Sequence, residues 1–112
     1  NGKLKEQGAF VDGEPDGAWR YWYEEGNLRE ELSYQLGVQN GSYSRWYRDG
    51  ARQEQGTYVD GELDGIVENW YPRGERIVAH FRRGKLHGVR TTYDASGKIL
   101  SQVRYEDGKP ER

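Results

Sequence analysis

The stretch Gly56-Thr57-Tyr58-Val59-Asp60-Gly61-Glu62-Leu63-Asp64-Gly65, running on through Trp70-Tyr71 to Gly74, returns along the chain at nearly constant spacing. Gly65 recurs as Gly17, Gly41 and Gly88, in steps of 24, 24 and 23 residues. Gly74 recurs as Gly26, Gly50 and Gly97 with the same steps, and Gly61 as Gly13, Gly37, Gly84 and Gly108. Aromatic residues keep the beat. Phe10, Tyr34, Tyr58, Phe81 and Tyr105 form one column, and Trp22, Trp46, Trp70 and Tyr93 form another. Self-similarity at this period marks a modular array, in which each unit buries its apolar face against its neighbours. The phase divides residues 1–112 into one array: a half unit at 1–16, then units at 17–40, 41–64, 65–87 and 88–112.

Between the glycines lie segments of six to eight residues rich in Trp, Tyr, Val, Ile, Thr and Arg, a length and composition that describe strands. Turn signals bound them at Glu24-Glu25-Gly26-Asn27, Arg48-Asp49-Gly50, Pro72-Arg73-Gly74 and Ala95-Ser96-Gly97. The second kind of connection carries two glycines four apart, as in Val59–Gly65, and reverses the chain again. The pattern predicts about nine antiparallel strands, near 3–11, 18–24, 27–35, 42–48, 51–59, 66–72, 75–82, 89–94 and 98–106. The expected fold is all-β, an elongated, twisted antiparallel meander of tandem β-hairpin repeats, about four and a half units of 23–24 residues.

Period-two alternation then assigns faces. Trp19, Tyr21 and Tyr23 share one face; Ala18, Arg20 and Trp22 share the other. Tyr43 and Tyr47, and then Val67 and Tyr71, continue the first face, while Trp46 and Trp70 continue the second. The first face can curl into an inner core with the Phe10 column. The second is left partly exposed, since no helix exists to cover it. Gly8 and Gly56 leave room for a neighbouring ring to lie flat. Two irregularities carry expectations of their own. One residue is missing between Gly74 and Phe81, which predicts a lost bulge or a register shift. In the last unit Arg90 stands for Trp19 and Asp94 for Tyr23, polar replacements of the kind a cap uses.

Composition bears on function mainly by exclusion. Hydrophobic residues make up only 33%, so 4 Trp and 9 Tyr must supply much of the buried area. The 17 basic and 19 acidic residues nearly balance, which points to neither nucleic acid nor an anionic membrane. With no cysteine there is no disulfide or thiolate chemistry, and the redox compartment stays open. No run is long and apolar enough to cross a bilayer. Asn1-Gly2-Lys3-Leu4 falls at the turn inside a repeat, in phase with Gly26-Asn27-Leu28. A removed leader, a truncation or a disordered start would each account for that beginning.

The matching pieces Gly56-Thr57-Tyr58 with Gly61 and Gly65, Gly84-Lys85-Leu86-His87-Gly88, and Gly17-Ala18-Trp19 leading to Trp22-Tyr23 and Gly26 resemble the MORN repeat family. The resemblance is to its bacterial variant, the YwqK-type antitoxin-like proteins. The resemblance spans essentially the whole chain, and implies a hairpin array that binds other proteins and has no shared catalytic residue. The compartment is left open: a soluble protein of the bacterial cytoplasm, or of the cell envelope if a leader was removed. Lys/His is missing from the first two connections, a departure from the family pattern.

Several motifs promise chemistry and lose it on geometry. Asp60-Gly61-Glu62-Leu63-Asp64-Gly65, echoed from Asp12 to Gly17, begins like a calcium loop. The twelfth position, where a bidentate glutamate belongs, holds Tyr71 or Tyr23, so these acids read as solvated turn residues. His80 and His87 occupy different phases of the repeat, which disfavours zinc. Glu24-Glu25 and Glu30-Glu31 are adjacent on their segments and would face opposite sides in a strand. No nucleophile stands in a triad context, and arrays repeat surfaces rather than unique pockets. The expected function is therefore a non-enzymatic protein-interaction module with no metal, cofactor or catalytic residue.

The expected contact residues are the row Trp22, Trp46, Trp70 and Tyr93, and the basic cluster Arg82, Arg83, Lys85, His87 and Arg90 around one connection. Trp and Tyr anchor interfaces, although the same rings could serve the sheet's own packing. Residues 1–65 carry a net −6 and residues 66–112 a net +4, so an elongated array would have an acidic and a basic end. Self-association through those ends, a glycan or phospholipid surface along the aromatic row, and neutralisation of a cognate toxin stand as alternatives.

Overall fold

A computed structural model describes residues 5–111. The turn read at residues 1–4, and the start of the first predicted strand, lie outside the described residues. Thirteen strands form one sheet, with no helix among the described residues. They are β1 (Lys5–Val11), β2 (Glu14–Trp22), β3 (Leu28–Gln35), β4 (Val38–Gln39), β5 (Gly41–Trp46), β6 (Arg52–Val59) and β7 (Glu62–Leu63). There follow β8 (Gly65–Trp70), β9 (Arg76–Arg82), β10 (Lys85–Leu86), β11 (Gly88–Tyr93), β12 (Ile99–Glu106) and β13 (Lys109–Pro110). The order is β1-β2-β3-β5-β6-β8-β9-β11-β12-β13, with β4, β7 and β10 paired only to the strand before each. Every pairing is antiparallel, and apart from the two-residue strands each strand pairs with the next long one along the chain, so the sheet is an open meander. Its extents are 47 × 31 × 15 Å.

All nine predicted strands are present, with two differences. The strands that follow the paired glycines end two residues early, at Trp22, Trp46 and Trp70. The reason is the loop that follows. Tyr23 donates its N–H to Asn27 O at 2.8 Å and accepts from Gly26 N–H at 2.9 Å, so the chain has already begun to turn. Two-residue strands also occupy the connections. Leu36 and Gly37 have φ of 48° and 86°, the doubly left-handed geometry of a tight type I′ hairpin, after which Val38–Gln39 pairs back on β3. A left-handed leucine costs about 1–2 kcal/mol. The Asp16 carboxylate of the preceding repeat helps hold it, accepting the Leu36 N–H at 2.9 Å.

The core is one row of side chains on one face. Trp19 pairs with Leu32, Tyr43 with Gly56 and Val67 with Ala79, and all six are buried. Tyr34, Tyr58 and Leu63 pack alongside Trp19, Leu32 and Tyr43. Phe10 meets the Trp19 ring edge-on at 5.1 Å, and Tyr43 lies 4.9 Å from Tyr58. Phe10 itself stays 63% exposed, unlike its expected place in the inner column, because β1 has a partner on one side only. Gly8 is required where it stands. A Cβ there would fall 2.0 Å from Trp19 Cδ2, and one at Gly56 would fall 2.8 Å from Tyr43 Cε1.

The missing residue removes a bulge. In three hairpins the register slips by one residue beside the row aromatic: between Tyr21 and Trp22, Arg45 and Trp46, and Thr92 and Tyr93. In β8–β9 Asn69 pairs with Ile77 and Trp70 with Arg76 without a slip. Of the two outcomes the spacing allowed, loss of the bulge is the one found.

Candidate functional site

Trp22, Trp46 and Trp70 close the strands β2, β5 and β8, and Tyr93 closes β11, so the meander sets them in one row across the sheet. All four are half-buried. The uncovered rings are partly roofed by arginines that reach diagonally. Arg52, paired with Trp46, lies over the Trp70 ring at 5.8 Å, and Arg76, paired with Trp70, lies over Tyr93 at 4.4 Å. Such contacts contribute about 0.5–1 kcal/mol at exposed sites and leave the ring edges free.

A second column ties repeat to repeat. Tyr23 donates its hydroxyl to Trp46 O at 2.8 Å, and Tyr47 donates to Trp70 O at 2.6 Å. Tyr71 is next in the column, but its hydroxyl bonds no acceptor among the described residues, and it is 43% exposed. The lost bulge lies in the hairpin that Tyr71 opens, where the strand after the turn is one residue shorter than its counterparts. Asp94 occupies the fourth place and closes its own turn instead. Its carboxylate accepts from the Ser96 hydroxyl and from the Ser96 and Lys98 N–H groups. The Ser96 hydroxyl and the Lys98 N–H hold it below the usual carboxylate range.

Two shallow grooves flank the Tyr71-Pro72 segment. One, of about 480 Å³, has Tyr47, Arg52 and Trp70 among its walls; the other, of about 370 Å³, has Arg73, Ile77 and Thr92. Tyr71 and Pro72 belong to both. The sequence analysis did not single out Tyr47, Tyr71 or Arg52, which line these grooves beside Trp70.

The basic cluster is only partly assembled. Arg82, Arg83 and Lys85 line a common groove, but Asp107 from the next connection enters it. Asp107 Oδ1 lies 3.6 Å from the Arg82 guanidinium and 4.0 Å from His87 Nδ1. Arg90 stands on β11 opposite Val103, outside that groove.

Two of the acids that resembled calcium ligands have structural partners: Asp16 takes the Leu36 N–H, and Asp64 takes the Arg83 N–H at 3.4 Å. Glu30 and Glu31 do part to opposite faces. Glu31 pairs with Arg20 at 2.6 Å, while Glu30 and Glu54 clamp Arg45 at 3.0 and 3.1 Å. Glu54 also accepts from the Tyr43 hydroxyl at 2.5 Å. Burial first, and that bond second, push the Tyr43 pKa far above its usual value. Among the described residues no three His, Cys, Asp or Glu side chains are grouped as metal ligands. No helix among them is long and apolar enough to cross a membrane.

Compared with known protein families, the chain matches the MORN repeat variant model at two places, residues 15–36 and 86–107. These segments cover a connection with its flanking strands near each end, so the chain carries MORN-type repeats. Repeats of this kind are generally associated with binding protein or membranes rather than with catalysis. No curated protein matches the chain.

Proposed function

We propose that this MORN-repeat array is a non-enzymatic protein-interaction module whose docking surface is the row Trp22, Trp46, Trp70 and Tyr93. The observation that carries the reading is the half-exposure of all four rings on a single sheet only 15 Å thick. Large rigid rings give much contact area for little lost side-chain entropy, which makes them interface anchors. A row repeated at every hairpin suits an extended partner surface better than one small molecule.

The test is capture of a partner from lysate of the source organism, followed by affinity measurement on Trp46→Ser and Trp22→Ser. Each should weaken binding at least about tenfold, as loss of an anchor does. Affinity unchanged in both variants would contradict the reading. Glycans and anionic vesicles belong in the same comparison, and binding to them alone would replace the protein partner. Recovery of a single toxin would make the array an immunity protein.

A second reading has its own support. The net −6 of residues 1–65 and +4 of residues 66–112 sit toward opposite ends of a linear meander. The Arg82, Arg83 and Lys85 groove at the basic end would meet an acidic surface, on a partner or on the acidic half of a second copy. That contact should weaken from low to physiological ionic strength, and in Arg82→Glu with Arg83→Glu. Indifference to both would exclude it.

A further inference from the structure

Four aliphatic side chains that the core does not use stand together along the edge of the sheet formed by the paired-glycine connections. Val11 is 42% exposed, Leu36 55%, Val38 45% and Val59 46%. Val38 pairs with Gln35, which follows Tyr34, and Val59 follows Tyr58. Tyr34 and Tyr58 pack on the core, so alternation turns Val38 and Val59 to the face away from it. Val11 follows Phe10, which meets Trp19, and turns the same way. The connections touch one another. Gly37 donates its N–H to Pro15 O at 2.7 Å, and Gly61 to Gln39 O at 2.8 Å. A Cβ at Gly37 would fall 2.8 Å from Glu14 Oε2, and one at Gly61 would fall 3.4 Å from Val38 Cγ1, so each connection lies over the glycine of the next.

Charge alternates from one connection to the next around this patch. Asp12, Glu14 and Asp16 flank it on one side and Asp60, Glu62 and Asp64 on the other, while the same places between them hold Leu36, Val38 and Asn40. The three connections, 11–17, 35–41 and 59–65, contain no Lys, Arg or His. None of the six carboxylates forms an ion pair among the described residues. The basic connection lies beyond Asp60, Glu62 and Asp64, but the groove that its Arg82, Arg83 and Lys85 line is shared with Asp107. The edge is thus aliphatic in the middle and anionic on both flanks. A nucleic acid or an anionic membrane would be repelled there. A wholly apolar partner would strip water from the carboxylates and give them no counter-charge.

We propose that this edge docks a basic, extended segment of a partner protein, with aliphatic residues over Leu36 and Val38 and cations beside both acidic connections. The edge lies at the opposite end of the strands from the aromatic row, and the proposal does not depend on that row. Exposed ion pairs are individually weak, so the aliphatic contacts supply affinity and the carboxylates decide which segment binds. Spacing defines the segment. Successive connections are two strands apart, about 9.6 Å, which puts the two acidic ones about 19 Å from each other. An extended chain rises about 3.3 Å per residue and covers that span in about six residues. The cations therefore stand about six residues apart, with the aliphatic residues between them. A second copy of this chain fits poorly. Its basic connection carries only Gly84 between Arg83 and Lys85, and Asp107 already lies 3.6 Å from the Arg82 guanidinium.

The probe is a fluorescein-labelled nonapeptide with two basic residues at each end and Thr-Leu-Thr-Val-Thr between them, titrated against the full chain by anisotropy. One comparison peptide has serine for leucine and valine, and the other has glutamate for each basic residue. Saturable binding of the first peptide alone is expected. Leu36→Asn with Val38→Thr should weaken it about tenfold or more, and asparagine suits the left-handed turn at position 36. Glu14→Gln with Glu62→Gln should weaken it several-fold at low salt and flatten its salt dependence. Glu24→Gln with Glu75→Gln removes the same charge at the opposite edge and should leave binding unchanged, as should Trp46→Ser. Equal binding of the serine peptide, equal losses from the two glutamine pairs, or no saturable binding would overturn the proposal. So would a dimer in sedimentation that Leu36→Asn with Val38→Thr breaks, which would seat a second copy on the edge. A captured partner that needs Trp46 while the nonapeptide fails to bind would overturn this docking edge and leave the aromatic row standing.

Discussion

The Tyr47 hydroxyl donates to the main-chain carbonyl of Trp70 at 2.6 Å, one full repeat further along the chain. This bond, with its counterpart from Tyr23 to Trp46, fastens the first two of these hairpins each to the next at the end where strands turn. Removing the hydroxyl in Tyr47→Phe should lower stability by about 0.5–1.5 kcal/mol, since the carbonyl is left without its partner. Tyr71→Phe, with no such bond to lose, should change stability little. Urea unfolding distinguishes them, and equal losses would show that Tyr71 is tied down after all.

The hairpin that Tyr71 opens lacks the bulge of its counterparts, and that bulge can be restored. Inserting one glutamine between Arg76 and Ile77 recreates the spacing of Arg52-Gln53-Glu54. The variant should fold, gain the bulge opposite Trp70, and bond the Tyr71 hydroxyl to the Tyr93 carbonyl. An NMR structure that keeps the hydroxyl free would separate the bulge from the bond.

Packing predicts an order of costs. Tyr43 is 2% exposed and should cost about 3–5 kcal/mol as Tyr43→Ala, the range for a buried aromatic. Trp46→Ala should cost clearly less, because that ring is only half-buried. Gly8→Ala should also destabilise, by about 1–3 kcal/mol, through the clash with Trp19. Equal losses at Tyr43 and Trp46 would mean that the inner face has been assigned wrongly.

Alkaline pH should unfold the array through Tyr43. Its folded pKa is raised above the ordinary tyrosine value, so the folded state keeps the phenol neutral while the unfolded chain releases the proton. The stabilisation is whole below about pH 10 and is lost progressively as pH rises beyond it. Tyr43→Phe should flatten that fall, which urea midpoints between pH 8 and pH 11 would show. An unaltered slope would assign the effect to other tyrosines.

The repeat phase made the nine long strands legible, and the spacing before Phe81 announced the lost bulge. The short strands Val38–Gln39, Glu62–Leu63, Lys85–Leu86 and Lys109–Pro110 were not legible. Two glycines four apart read as one turn, whereas the chain reverses in two residues and spends the next two pairing back. Period-two alternation placed Trp19, Tyr43 and Val67 on the inner face, because it needs only the strand itself. It could not place Tyr71 in the open, since that depends on a hydrogen bond to the following repeat. The arginines over Trp70 and Tyr93 were hidden for a related reason: they pair in register with one aromatic and reach diagonally to the next.

The four tryptophans offer the most direct test of the docking surface. Trp19 is buried in the core, while Trp22, Trp46 and Trp70 stand in the half-exposed row. In a proton–nitrogen NMR titration with the captured partner, the indole signals of Trp22, Trp46 and Trp70 should move. That of Trp19 should stay in place. Row indoles that do not move while amide signals shift around Arg82–Lys85 would contradict the aromatic docking surface and put the interface at the basic end.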